Sequence, residues 1–577
     1  MTLLKLILTH PNEAEGIKKL KAALPAVKSA VKMSVIIKTT DYKKFVINGN
    51  EVPFSSLDRI LPNDKVVSSG EKWSMVTRAK QPPLVGVLDC LNKTRYGFTA
   101  KNVPIYLFQP MNKAYPPFRV GSTIDPTQNY LVVIQYETWE LGQSMPRGSL
   151  IQSLGAVGDF EAEATALYWL YSPWTGYTKK TSEYKAKEFD VNDRVEILAE
   201  HGWRTINVDP DGCEDIDDCF SYKWDEHDLL LECAITIADV AELVEQNSAI
   251  DQIARKAGQS LYQDGTKPRH MLPSTVAVDY GSLSPGDQRL GISLFFIYNV
   301  QENKFTNFHF KETLITNQKT YTYESVKSSE HAGTLTTLCK ALAKSEDDVT
   351  DPHTWIASLM ILYNTIFAEY IQGAKGGLLR AHSAPDAERL NVLKAIDPTL
   401  GFLAMSSATY IPATTENPLH YGLDAEVYTH ASSPLRRYAD LHNQRVFKEI
   451  YHGSISRQPF DEALVTELNQ KAKDAKKYER DYNFLKAVFS TDNKILAGTV
   501  VGLKQKDSVV RIEVWVPVWK RIIKMSLAGI LADSIASVVS RDEKSSHTLA
   551  VGQTINLAFS FDSTKCKWKE RMIYRLL

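Results

Sequence analysis

The 577-residue sequence has no apolar run long enough to cross a membrane, no polar low-complexity tract and no internal repeat of roughly 20 to 50 residues. These absences exclude a helical membrane protein, an extended disordered chain and a solenoid, and no membrane partner is expected. Cysteine is scarce. The six residues at 90, 213, 219, 233, 339 and 566 form no CxxC pair and no zinc-ligand spacing, which argues against a disulfide framework and fits reduced thiols inside the cell. Met1 to Leu8 is apolar, but Pro11, Asn12 and Glu13 follow at once, so the length and cleavage site of a secretory signal are missing. Neither sign of charge is in excess, with 67 Lys plus Arg against 68 Asp plus Glu. That balance counts against a simple phosphate-coating protein, but it is an average over unlike regions. From Ala497 onward thirteen basic residues face seven acidic ones, while an acidic cluster sits near position 210.

Single hydrophobic cores stop growing at roughly 250 to 300 residues, so the chain divides into several domains. Residues 1–40 read as a helical segment interrupted by Pro25. Short β-rich runs follow, punctuated by Gly, Pro and Asn, and suggest a shortened first barrel over 41–81 and a second over 82–178, joined at Gln81-Pro82-Pro83. Residues 179–490 form the body, in which strand patterns precede long helical ones at Thr354–Gln372 and Phe460–Val488. Residues 491–577 turn β-rich again and predict a five-stranded barrel of the oligonucleotide-binding type. The fold class is α+β and multidomain, with small β-barrels flanking a large mixed domain.

The densest chemistry lies in VDPDGCEDIDD, where Asp209, Asp211, Glu214, Asp215, Asp217 and Asp218 fall within ten residues. A fold that gathers such carboxylates must raise their pKa values or supply cations, and hard divalent ions with oxygen ligands are the usual answer. A solvated acidic loop is the plain alternative. A calcium loop fails on spacing, because Cys213 falls at the fifth position counted from Asp209, and zinc lacks its thiolates and imidazoles. A second cluster, YTHASSPLRRYADLHNQR, places Arg436 and Arg437 after Ser433-Pro434, a good helix start, where free backbone N–H groups and two guanidiniums favour phosphate. Surface ion pairs would be the bland reading of these arginines taken alone. Cation site plus anion fork is the equipment of phosphodiester cleavage.

From about residue 42 the chain resembles the ribonuclease II (RNB) family. The hallmark stands as Asp209-Pro210 followed by Asp215-Ile216-Asp217-Asp218. TIADVAELV, AGQSLYQDGTKPRHMLP, SLSPGDQRLG, GGLLRAHSAP, NPLHYGL and SSPLRRYAD follow in family order. GQSMPRGSLIQSLGAVGDFEAEATALYWLY looks like the second cold-shock domain of the eukaryotic, exosome-related branch. The roughly 40 residues before the first barrel are too few for that branch's PIN domain, so exonuclease activity alone is expected.

The resemblance implies a magnesium-dependent exoribonuclease, with manganese able to substitute, that shortens single-stranded RNA processively from its 3′ end to nucleoside 5′-monophosphates. It assigns Asp209, Asp215, Asp217 and Asp218 to the metal, Arg436 and Arg437 to phosphates near the 3′ end, and Tyr262 to stacking on a terminal base. His382 is polar and receives no role, and Trp515 and Trp519 are candidates either for base stacking or for core. An exosome-like or other RNA-decay complex becomes a candidate partner, with activity expected from the monomer and a cytoplasmic location placed ahead of a nuclear one. The rival readings are a catalytically weak RNA-binding scaffold and a nuclease or phosphatase acting on DNA or small nucleotides. Thr236 and Gln444 stand where the family has His, and Ala431-Ser432 stands where it has Phe-Thr. None of these departures removes a metal carboxylate.

Overall fold

Three β-rich regions and one mixed domain are visible in the computed structural model. It describes residues 34–577 apart from 39–41, 43, 48–49, 54–56, 70–71, 93, 95, 173–176, 178–183, 185–188, 190, 226–228, 264–267, 344–347, 455–460, 492–494, 533, 540–544, 563–564 and 566–567. The helical reading of residues 1–33 lies outside the described residues. No described helix is long and apolar enough to cross a membrane. By compactness the chain falls into two units. One holds Met1–Pro173, Leu485–Leu496 and Leu557–Arg575, and the other holds Trp174–Phe484, Ala497–Asn556 and Leu576–Leu577.

In the first unit, six short strands between Ser34 and Thr77 share a sheet over Phe45, Ile47, Ile60 and Val66, so this region starts ahead of residue 41. Gln81 at the expected join is buried, donating to Pro62 O and accepting from the Tyr115 hydroxyl, so the linker is packed. Five strands from Leu84 to Ala156 then close a barrel. Its logic is the two-residue period: in Ile105–Pro110 every second side chain is buried. Asp159 caps the helix Phe160–Tyr171 by accepting from Ala162 N, and Ala162, Ala166 and Trp169 seat that helix on Val85, Val87, Leu131 and Val133. Glu163 of this helix and Arg571 near the C terminus form a fully buried ion pair.

The mixed domain is built on a seven-stranded sheet. We label its strands β1 (Val195–Ile197), β2 (Arg204–Val208), β3 (Asp218–Asp225), β4 (Leu230–Ala238), β5 (Gln288–Asn299), β6 (Lys304–Thr316) and β7 (Lys319–Tyr321). Their order is β1-β6-β5-β4-β3-β2-β7, antiparallel except for β1 on β6 and β2 on β7. The long helix Pro352–Gly373 covers one face. Its Tyr363 and Phe367 meet Phe310 of the sheet, and Phe310 and Phe367 in turn meet Phe447 of the helix Tyr438–Tyr451. Each such buried side chain contributes roughly 1.5–3 kcal/mol, which makes this seam the domain's main anchor. The fold class is α+β with β-barrel domains, as the sequence implies. Toward the C terminus, seven strands pair in one sheet rather than the five expected. Trp515 and Trp519 are buried against Leu393 and Phe484 respectively, so neither is available to a base.

Candidate active site

The acidic loop is the connection between two neighbouring antiparallel strands. Ile206 pairs with Phe220 across β2 and β3, and the same register carried to the strand ends brings Asp209 level with Asp217. Asp209 is fixed at the end of β2 by its N–H, which donates to Tyr321 O of β7. Within the loop, Cys213 N closes a turn on Pro210 O, and Gly212 takes the positive φ of 75° that this turn requires. Ile216 then plunges into the core. Its backbone is clasped by Ser282 Oγ and by Leu283 N, so the flanking Asp215 and Asp217 are held rigidly on either side.

Around this loop lies a pocket of about 420 Å³ lined by Asp209, Asp215, Asp217, Asp218, Tyr262 and Arg436, with Cys213, His270 and Tyr323 among its other walls. The four aspartates differ in how they are satisfied. Asp217 accepts from Leu435 N and from Arg436 Nε, each at 2.9 Å. Asp215 Oδ2 accepts from the Tyr262 hydroxyl at 2.6 Å and lies 3.5 Å from His270 Nδ1. Asp209 accepts from Asn207 Nδ2 at 2.8 Å. Among the described residues, no donor reaches the carboxylate of Asp218.

The electrostatics follow this division only in part, because burial pushes Asp217 up to about 7 despite Arg436 and the Leu435 N–H. Burial would lift the Asp215 carboxyl, yet the nearby His270 side chain and the hydrogen bond from Tyr262 hold it below the ordinary value. Burial pushes Asp218 well above the usual carboxylate range, with the charges of Asp209 and Asp217 adding to the effect and the two arginines failing to offset it. Asp209 is raised as well, mainly by burial, against the pull of Asn207 and Arg436. Asp209 and Asp218 are thus a pair of carboxylates short of positive charge beside an open pocket. A hard divalent cation bound through oxygen fits that donor set.

The arginine segment departs from expectation. The helix begins at Tyr438, not at Pro434, and Arg437 precedes it in extended conformation. Arg436, in the turn before it, reaches Asp217 and lines the pocket, while Arg437 donates to Asp440 at 2.7 Å and does not line it. The two-guanidinium fork on one face is not formed. His382 is buried away from the pocket, where it meets Ser406 O and accepts from Gly422 N.

Sequence reasoning passed over three residues. Asn207 holds Asp209 while accepting from Asn317 and Thr320, and Tyr323 and His270 are pocket walls. Asn207 sits two residues before Asp209 on its strand, which places both on one face, and this alternation was the signal for it. The chain folding that brings Tyr323 in left no such trace.

Residues 200–336 and 335–453 match the RNB domain, and residues 105–172 match the Dis3-like cold-shock domain 2. The chain carries an RNB domain. Curated relatives include human exosome complex exonuclease RRP44, 23% identical over 425 residues, covering 58% of this chain and 43% of that protein. Ribonuclease R of Chlamydia trachomatis is 26% identical over 310 residues, covering 41% of this chain and 44% of that protein. The chain thus matches less than half the length of these relatives. Among solved structures, Mycoplasma genitalium RNase R in complex with ribose-methylated single-stranded RNA superposes with a TM-score of 0.70 at 16% identity, covering 94% of this chain and all of that one. Yeast Ssd1, a pseudonuclease, superposes with a TM-score of 0.61 at 15% identity, covering 95% and 85%. The pocket belongs to the RNB domain, since all four aspartates and Arg436 lie inside the matched residues.

Proposed function

We propose that the chain is a divalent-metal-dependent 3′-to-5′ exoribonuclease that degrades single-stranded RNA processively to nucleoside 5′-monophosphates. The observation that carries this reading is the pairing of two cation-starved carboxylates, Asp209 and Asp218, with the Arg436 guanidinium across one pocket. Asp209 and Asp218 would hold the ion, for which magnesium is the first choice and manganese a substitute. When bound, such an ion activates a water and neutralises the leaving 3′ oxygen. Arg436 can turn one face of its guanidinium to a phosphate while its Nε stays on Asp217, which fixes the cation's position before substrate arrives. Asp217 in turn is held by Leu435 N, so the anion site is pre-organised by the backbone. Arg437 supports the segment through Asp440, and Tyr262 offers a ring to the terminal base.

Single-stranded RNA as substrate is carried over from the RNase R complex and from the relatives' names, and the Dis3-like cold-shock barrel suits it. Association with an exosome-like complex and a cytoplasmic site of action are proposed on the likeness to RRP44 and on composition. The yeast pseudonuclease has the same fold, so the fold does not decide activity. The Asp209–Asp218 pair favours the enzyme over a scaffold. The test is a 5′-labelled single-stranded RNA with magnesium, set beside a matched DNA. Stepwise shortening of the RNA alone, lost by at least on the order of a hundredfold in Asp218→Asn, is expected. Equal degradation by wild type and variant, or intact RNA with both, would remove the proposal.

A further inference from the structure

Three arginines among the described residues are less than a tenth exposed, and two of them are paired, Arg194 with Asp239 and Arg571 with Glu163. The third, Arg380, is 6% exposed; its Nη1 is buried without an acceptor, and among the described residues its guanidinium makes no ion pair. It belongs to GGLLRAH, a stretch that adds no wall to the acidic pocket. Leu378–Ala381 pairs antiparallel with Thr409–Pro412, and Arg380 stands directly opposite Tyr410. Opposed residues of such a pair project from the same face. The guanidinium accordingly lies over the Tyr410 ring, 4.6 Å from its centroid, and the ring is fixed by its hydroxyl, 2.8 Å from His430 Nδ1. A cation–π contact offsets only part of the cost of burying a charge.

The groups around Arg380 deepen the deficit. His420 is buried too, and its Nδ1 also lacks a partner. Asn469 of the helix Glu462–Phe489 is bonded both ways to the Tyr410 backbone, and the exposed Lys476 follows it about two turns later on the same side. Burial depresses the Lys476 ammonium and the charge of Arg380 adds to this, while Glu479 opposes it and Arg480 reinforces it. The His420 imidazole is held neutral, down to about 4, by burial first and then by His382 and Arg380. A water satisfies a donor but brings no negative charge. We infer that Arg380, His420 and Lys476 form a binding site for a phosphate group, outside the metal pocket and independent of it. A guanidinium laid on a ring keeps its N–H edge free for two phosphate oxygens. The neutral imidazole donates one N–H, and Lys476 is the charged mouth by which the anion enters. The phosphate is carried either by an RNA strand or by a small molecule. The first source rests on the proposed function, and the phosphate chemistry does not.

The test uses the full chain as wild type, Arg380→Met and Lys476→Met, with the neighbouring Lys477→Met as a control for net charge. A chelator is present throughout. Thermal midpoints are compared in inorganic phosphate and in chloride of equal ionic strength. Phosphate is expected to raise the wild type and Lys477→Met by about 2 °C and to leave Arg380→Met unmoved. In chloride Arg380→Met is expected to keep or exceed the wild-type midpoint, because it removes a buried charge that has no partner. Binding of a fluorescein-labelled oligoadenylate is then measured against salt. If the phosphate belongs to RNA, Arg380→Met weakens binding on the order of tenfold and Lys476→Met about threefold. The slope of log affinity on log salt then falls by about 0.7 in each, and Lys477→Met changes neither. A phosphate response that needs Arg380, with RNA affinity unchanged, assigns the site to a small molecule. Wild-type behaviour of Arg380→Met in both measurements would overturn the inference. Lys476→Met sits at an exposed position, so wild-type behaviour of that variant in both measurements decides against the site even if Arg380→Met does not fold. No divalent ion takes part, so a wild type that leaves RNA intact under magnesium removes the proposed function and not this result.

Discussion

The RNB domain contains two acidic clusters, and they have been solved in opposite ways. In the pocket, Asp209 and Asp218 are half-buried and mutually repelling, and Asp209 has the Asn207 amide as its donor while Asp218 has none among the described residues. On the other side of β4, Asp239, Glu242 and Glu312 bring their oxygens within 4.8 Å of one another, tighter geometry for an ion than the pocket itself offers. Yet Lys448 Nζ already occupies their centre, at 2.8, 2.6 and 2.7 Å, and Arg194 adds a second cation at 2.8 Å from Asp239. Convergence of carboxylates is therefore not the mark of a metal site. The mark is convergence that the internal cations do not offset: in the pocket Arg436 is bonded to Asp217, and Asp209 and Asp218 stay above the ordinary carboxylate value.

The largest expected effect comes from emptying the filled cluster. Lys448→Met keeps most of the side chain's length but leaves three carboxylates facing one another, with Arg194 and the exposed His452 beside them. Removing one partner of a buried ion pair typically costs about 3–5 kcal/mol. A fall in thermal midpoint is expected, together with a new affinity for divalent ions that restores part of it. An unchanged midpoint in scanning fluorimetry would mean that the ammonium is ornamental and the contrast between clusters is false.

The same cluster makes a pH statement with a definite sign. Burial alone would raise Asp239, but Lys448 and Arg194 outweigh it and hold the carboxyl below its ordinary value. Its contribution is therefore complete above the unfolded carboxyl value near about 4 and is lost as pH falls through the lower folded value. Burial likewise works against the charge on Lys448, but the carboxylates raise it above the usual lysine range. Its contribution is complete below about 10 and drains away as pH rises through the folded value. The difference in midpoint between wild type and Lys448→Met should be flat between those limits and shrink outside them. A difference that instead changes between pH 6 and 8 would show that another group governs the cluster.

How much of this was legible beforehand depended on whether chemistry was local in the chain. The α+β class, the acidic loop and Arg436 were readable because each sits in a compact pattern whose residue types carry the message, whereas Tyr262 was reached only through the family resemblance. The Asp215–Tyr262 bond joins residues 47 apart and was not readable, since nothing in either motif states which aspartate the phenol meets. The expected fork of Arg436 and Arg437 is not formed: Ser433-Pro434 looks like a helix start, but the helix begins only after an extended Arg437, and the two guanidiniums go to different carboxylates, Asp217 and Asp440. The departures from the family pattern turn out to be internally compensated. Thr236 shares a buried hydroxyl chain with Ser293 and Thr313, and Gln444 satisfies Val240 N and Ala238 O, so each alternative residue is paired where it stands. The bonds made by Thr236 and Gln444 themselves cross 57 residues or more in the chain, beyond what a linear pattern reveals.

The smallest effect expected is the most diagnostic for the pocket, because its sign is opposite to that of Lys448→Met. In the absence of divalent ions, Asp218→Asn removes a charge that burial and two neighbouring carboxylates disfavour, and the amide occupies the same volume. A gain of about 1 kcal/mol is expected, on the scale common for relieving strain built into functional sites. Saturating magnesium should abolish the gain, since the wild type recovers by binding what the variant binds poorly. Thermal midpoints of both proteins, with a chelator and with magnesium, check this crossing directly. If Asp218→Asn is destabilised with the chelator, some protein cation already serves Asp218. The pocket would then be a second filled cluster, and the case for a metal there would fall with it.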